Sequence, residues 1–478
     1  MNKSGLRHRI AVTILLTTVF THAFSQEKLG IANSNYSSTN SIFLNPSSSV
    51  DSRTFIQLNL IGLNAYAYTN QAYLPKFSVW RKAEQPVIIT NKTKKFFYGN
   101  FSLDAPALIV SNRRIGFGFF VRGCAEIDIR NLPYELTNIL LQQKIDTVVP
   151  KYAELNLRNV KISEMAWAEY GVNFGMMTKK RNGLLITAGG NLKYLTGINL
   201  FYANLGRLNG YIKDSLIDIK QLKGKIRIAQ PGWRVGKGYG LDLGIIYRKA
   251  LKSDVEYEGY YVNSPKSNCE HIDYLFKAGL SLLDLGYIKF NQQTYKGSID
   301  GNIYVPNYHK VTNTDSLLRA NFDTVSRKNE PITATLPTAL SAQLDMNMSH
   351  HIYLNVTAIK SVIPARLTGV QRANLLSIAP RYERRIFEVA MPLTFHRFIY
   401  PQLGLAFRIR TFVLGFDNIF PFIFAKNTYG LNVYFNLGIS LFRNPDCREK
   451  HHKVKKEKKK QWSNYDCPKF GKRNILGY

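Results

Sequence analysis

Acidic residues are scarce in this chain of 478: 32 Asp and Glu stand against 64 Lys and Arg, a formal net charge of +32. Cysteines are scarcer still. The four, Cys124, Cys269, Cys447 and Cys467, are too scattered for the paired C-x-x-C of a zinc site or for a dense disulfide scaffold. Beyond the opening segment no apolar run approaches the ~18 residues that a membrane helix needs, which excludes a helical membrane protein. Disorder is excluded as well, because 45% of the residues are hydrophobic and 13% aromatic, with 28 Tyr and 28 Phe.

What is there begins with an export signal. Residues 1–25 carry Lys3, Arg7 and Arg9, an apolar run from Ile10 to Phe20, and Ala23-Phe24-Ser25 before Gln26. A charged start, a short apolar stretch and a small-x-small site are the layout of a cleaved signal peptide. The mature chain would carry 61 basic and 32 acidic residues and would enter an oxidising compartment.

From residue 53 onward the dominant period is two, the signature of strands with unlike faces. In one segment Tyr239, Leu241, Leu243, Ile245 and Tyr247 alternate with Gly240, Asp242, Gly244, Ile246 and Arg248. In another, Leu431, Val433, Phe435, Leu437 and Ile439 alternate with Asn432, Tyr434, Asn436, Gly438 and Ser440. Strands of a soluble sandwich run about 5–6 residues, whereas a membrane-spanning strand needs ~9–11. Ten or more residues per segment therefore predict an all-β, closed antiparallel transmembrane barrel over 53–442, of about fourteen strands. Closure is required, since an open edge in lipid would leave backbone groups unpaired.

Connection lengths are a second indication. Long links are expected at 70–100, 130–161, 204–235 and 291–333, alternating with tight turns near Asn112, Lys179 to Asn182, Ser349-His350, Arg384-Arg385 and Ile409-Arg410. Outer-membrane barrels alternate long extracellular loops with short periplasmic turns in this way. The link near 250–270 is longer than the rule wants. Residues 26–52 precede the strands as a hatch-like periplasmic segment, and 443–478 follow them as a tail.

Leu29-Gly30-Ile31-Ala32-Asn33-Ser34 and Leu44-Asn45-Pro46-Ser47-Ser48 resemble the N-terminal Gly-rich and Asn-Pro-Ala signature of FadL-type and PorV-type barrels, with Ser in place of the Ala. Gly279 to Ile288 and Gly415 to Pro421 are similar to motifs of an uncharacterised outer-membrane barrel family of Bacteroidota related to those proteins. The resemblance implies a fourteen-strand barrel with a short hatch, working in uptake of apolar solutes or in envelope assembly and secretion. It brings no catalytic residue.

Chemistry, if any, belongs on the inward face. Alternation places Arg122, Glu169, Lys193, Asp242, Arg248, Asp345 and Arg408 there, together with Trp167, Asn173, Asn191 and Gln343. Such a set forms either a polar conduit or an ion-pair network filling a closed barrel. Inward glycines let a plug approach closely. A route for greasy solutes would need an apolar pocket, which the sequence does not locate. Gly232 to Gly238 lacks the spacing of a phosphate loop, and His396 has no Ser or Asp beside it by any local pattern. No catalytic, cofactor or metal residues are expected.

The tail holds twelve basic residues, with Lys453, Lys455, Lys456, Lys458, Lys459 and Lys460 at its centre, against four acids. Such a block is expected to be largely disordered. Export excludes nucleic acid, leaving outer-membrane lipid, other envelope proteins or peptidoglycan as its partners. Cys447 and Cys467, in an oxidising compartment, are candidates for a disulfide. Three functions stay open: a non-enzymatic barrel that binds an envelope partner or cargo, a FadL-like uptake channel for small apolar or amphiphilic solutes, and an enzyme.

Overall fold

The computed structural model describes residues 28–80, 84–89, 91, 93–112, 114–134, 152–181, 184–213, 216–250, 274–305, 327–328, 330–349, 351–364, 367–423 and 426–441. The signal segment, the link near 250–270, Cys269, and the tail with Cys447, Cys467 and Lys453 to Lys460 lie outside the described residues.

Fourteen antiparallel strands form one closed sheet. Numbered around the wall, β1 is Ile56–Thr69, β2 Lys95–Ser111, β3 Ile115–Leu132, β4 Tyr152–Arg181 and β5 Leu184–Lys213. β6 comes in two pieces, Leu216–Ala229 and Gly236–Ala250, as does β7, Tyr274–Phe290 and Thr294–Val305. β8 comprises Arg327–Lys328, Ile332–Thr335 and Ala339–Ser349, followed by β9, Ile352–Ser361, and β10, Leu375–Glu383. β11 (Phe387–Ala390 and Leu393–His396) and β12 (Tyr400–Leu403 and Leu405–Ile409) are each interrupted once. β13, Phe412–Phe416, and β14, Gly430–Leu441, complete the wall.

Closure is made by β1, whose one edge pairs with β2 from Ile56↔Val110 to Thr69↔Phe97 and whose other edge pairs with β14 from Ile56↔Leu441 to Ile61↔Leu437. The period-two pattern is realised as an oily outside and a polar inside. Phe117, Phe174, Leu192, Leu243, Leu280 and Leu437 point outward and are 44–62% exposed, whereas Asp242 and Asn432 on the opposite face are at most 1% exposed. An apolar belt of that extent is stable against lipid and not against water.

The expected long links need correction at all four places: within 70–100, Ala72–Phe77 and Val87–Ile88 are short strands and β2 already begins at Lys95. Residues 152–161, 204–213, 216–229 and 294–305 are strand, so β4 and β5 reach 30 residues each, about three times a bilayer crossing. They project as a four-stranded sheet at the long-link end, held by pairs such as Leu157↔Leu208, Leu208↔Leu222 and Leu222↔Gly301. Outside the bilayer the exposed face carries cations, as at Lys223 and Lys225, where a lipid-crossing strand would carry oil.

The hatch also needs correction. Residues 28–55 lie within the barrel wall rather than beside its periplasmic rim. Ile31 packs with Ala390, Ala406, Val413 and Tyr434, Leu29 with Ala339, Ile359 and Leu375, and Ile42 with Ala107, Ile109 and Phe120. A short helix, Ser38–Ser41, and a 3-10 turn, Pro46–Ser49, give the segment its shape. The wall makes room with glycine: a Cβ on Gly189 would stand 2.7 Å from the Ser47 Cα, and one on Gly244 2.2 Å from Asn45 Oδ1.

Candidate functional site

Lumen chemistry is organised in layers, beginning with the plug. Asn45 Oδ1 accepts from the Ser47 N–H at 3.2 Å and starts the 3-10 turn, as an Asn before Pro should. Its Nδ2 donates to Gln343 Oε1 at 3.0 Å and to the Ile245 carbonyl at 3.2 Å. Wall side chains then satisfy plug carbonyls: Asn173 bonds Pro46 O at 3.0 Å, Asn191 bonds Ile42 O at 3.0 Å, and Ser281 bonds Leu44 O at 2.6 Å. Buried carbonyls without such partners would cost stability, so these bonds explain why the inner face is rich in Asn and Ser.

Above the plug stands a charged hub around Lys193. Its Nζ lies 2.8 Å from Asp242 Oδ2, 2.5 Å from Asp284 Oδ1 and 3.7 Å from Glu169 Oε2. Arg372 donates to the other Asp284 oxygen at 2.6 Å, Asn191 to Asp242 at 2.8 Å, and the Trp167 indole to Glu169 at 2.8 Å. Arg122 Nε stands 3.2 Å from Asp104 Oδ1, and Lys28 of the plug pairs with the same carboxylate. Three carboxylates facing Lys193, Arg372 and nearby Arg122 leave the layer close to neutral, which is what makes so many buried ions tolerable.

A second network lies nearer the short-turn end. Asp51 of the plug meets Arg248, and Lys277 stands 3.2 Å from it. Arg381 Nη2 binds Asp345 at 2.8 Å and its Nε binds Glu383 at 3.0 Å, while Arg408 Nε binds Glu388 at 2.7 Å. Arg122, Glu169, Lys193, Asp242, Arg248, Asp345 and Arg408 thus all face the lumen. Glu169, Lys193 and Asp242 share one cluster with Arg122 at its margin, and the other three belong to the second network.

Alternation missed several partners. Asp284 sits in a β-bulge, where register shifts between Leu282 and Leu285, with φ +53°. The bulge turns both Leu283 and Asp284 inward. The broken alternation within Gly279 to Ile288 was the available signal. Arg372 belongs to the connection between β9 and β10, where no period applies. That connection folds inward: Thr335 N donates to Thr368 O at 2.9 Å and Val370 is fully buried.

Toward the long-link end the lumen turns apolar. Met165, Trp167, Leu195, Leu200, Phe290 and Leu336, all at most 2% exposed, pack as one layer drawn from β4, β5, β7 and the break within β8. Cys124 is a buried free thiol of this layer. His396 is enclosed by Tyr66, Tyr68, Phe96 and Tyr98, with Nδ1 3.0 Å from Tyr66 Oη. Small cavities remain: about 40 Å³ between plug and wall beside Asn45, Lys277 and Asp345, and about 20 Å³ beside Arg122, Trp167 and Arg372. The first has room for a few waters and the second for about one.

A closed wall with an oily belt, its lumen filled by its own N-terminal segment and by paired charges, defines an outer-membrane β-barrel protein. Residues 46–417 match the family of unknown function DUF5723, and the chain belongs to that family. No curated protein matches it. Among solved structures it is similar to the deltaS2 mutant of the TodX monoaromatic hydrocarbon channel, at TM-score 0.40 and 8% identity over 85% of this chain and 95% of that one. A Pseudomonas aeruginosa FadL homologue gives 0.29 and 9% over 87% and 97%, and the Pseudomonas putida toluene transporter TodX gives 0.24 and 9% over 87% and 99%. Likenesses this remote carry no argument about function.

Proposed function

We propose that this protein is a non-enzymatic outer-membrane barrel, exported by a cleaved signal peptide and sealed at rest, that binds an envelope partner or cargo as an accessory of assembly or secretion. The observation that carries this reading is the plug. Residues 28–55 are held by ion pairs at Lys28 and Asp51, by the Asn45 amide and by wall bonds to three plug carbonyls, and the space between plug and wall beside Asn45, Lys277 and Asp345 is about 40 Å³. A pore for hydrophilic solutes would not spend its lumen in this way. What such a barrel offers other molecules is its rims, its projecting four-stranded sheet and its basic tail.

One observation favours a second reading. The apolar layer around Trp167 and Phe290 is packed shut, and its parting would open a greasy uptake route for small apolar or amphiphilic solutes in the manner of FadL-type barrels. Planar-bilayer recording and affinity purification from native membranes separate the two. The sealed scaffold should show no conductance and should bring down a stoichiometric protein. Transport of a labelled apolar solute by purified protein, with no partner recovered, would favour the second.

A further inference from the structure

The tight turns are rich in cations, and one buried side chain gathers three of them. Arg384 and Arg385 stand in the turn between β10 and β11, and Arg410 stands in the turn between β12 and β13; all three are exposed. The Arg410 N–H donates to Ile386 O and the Arg384 N–H to Phe387 O, at 2.5 and 2.7 Å, so the turns lie side by side. Beneath them Arg408, 1% exposed, donates Nη2 to the Arg384 carbonyl at 2.7 Å and Nη1 to those of Arg385 and Arg410 at 3.2 and 3.0 Å. Glu388 holds the Arg408 Nε at 2.7 Å, which balances its charge and fixes its plane. Three backbone positions bearing arginine are thereby pinned together.

Two further features say what this cluster faces. Among the described residues no exposed acid stands at this rim: Glu383 and Glu388 are buried with their arginines, and the exposed Glu84, Glu154 and Asp300 belong to the long-link end. Directly beside the arginines the oily belt continues, with Ile386, Phe387, Ile409 and Phe412 40–56% exposed. The cations therefore sit at headgroup level, at the edge of the hydrocarbon.

We propose that Arg384, Arg385 and Arg410 form a binding site for an anionic phospholipid of the leaflet at the short-turn end. The lipid phosphodiester lies against the guanidinium groups, whose planar donor forks match it, and its acyl chains run along Ile386, Phe387, Ile409 and Phe412. A polysaccharide or an acidic protein would use the charges and leave the adjoining apolar strip without a role.

The test uses full-length protein in phosphatidylcholine vesicles containing a minor share of phosphatidylglycerol, released and weighed by native mass spectrometry. Wild type should retain phosphatidylglycerol preferentially, and the triple variant R384Q/R385Q/R410Q should lose that enrichment by about tenfold or more. The triple variant R207Q/K223Q/K225Q, on the projecting sheet, should keep it. Heat-dependent gel mobility reports whether each barrel is closed. No lipid preference in wild type, full retention by the closed rim variant, or equal displacement by inorganic phosphate would each overturn the site. Should the rim variant fail to close, photo-crosslinkable phosphatidylglycerol on wild type decides the matter: label within 384–412 supports the site, and label only elsewhere overturns it.

Discussion

Arg372 and Asp284 meet at 2.6 Å inside the barrel, one from the connection between β9 and β10 and the other from the bulge of β7. The pair fastens an inward-folded connection to the hub around Lys193, so the lumen is held from above as the plug holds it from below. Removing the guanidinium leaves Asp284 with Lys193 still beside it. Arg372→Ala should therefore cost about 2 kcal/mol, the worth of a charge-assisted hydrogen bond, rather than the full penalty of a stranded ion. Limited proteolysis should show faster cutting within 362–374, and an unchanged cutting rate would refute the latch.

Lys193→Met is expected to be more damaging. It leaves Glu169, Asp242 and Asp284 clustered in the lumen without their shared cation, and stranding a buried charge costs roughly 3–5 kcal/mol. The fraction of heat-modifiable barrel should fall sharply. Adding Asp242→Asn to Lys193→Met removes one of the orphaned charges and should restore part of the folded yield, whereas an additive loss would contradict the hub.

Plug seating depends on Gly189. Its missing side chain admits the backbone of Ser47, and the branched side chain of Gly189→Val would occupy that space. Displaced plug, intact wall and new conductance in planar bilayers are the expected outcome. A silent, fully folded variant would show that plug seating does not depend on Gly189.

The outer face makes a separate prediction. Leu243 is 47% exposed on the oily belt, and Leu243→Arg should cost roughly 2–4 kcal/mol if it lies near the bilayer midplane. Leu243→Phe should be close to neutral. Equal assembly of the two variants in outer-membrane fractions would remove Leu243 from the lipid face.

Strand number, facing and closure were legible in the sequence because a lipid bilayer imposes one rule on every crossing. Tyr239 to Arg248 and Leu431 to Ser440 alternate since each residue meets either hydrocarbon or lumen, and a period of two survives that constraint intact. The inward charges Arg122, Glu169, Lys193, Asp242, Arg248, Asp345 and Arg408 follow from the same rule. Asp284 does not, because a bulge shifts the phase by one residue, and neither does Arg372, which lies on a connection with no period. Residues 204–213 and 216–229 pair as strands beyond the bilayer, where exposed positions such as Arg207, Lys223 and Lys225 are basic instead of oily, so they lack the face by which a crossing strand is recognised. Which charges become partners was decided by the closed wall alone. Lys193 and Asp284 lie 91 residues apart, Asn45 and Gln343 298 apart, and only curvature of the sheet brings such pairs into one low-dielectric lumen where each must be neutralised.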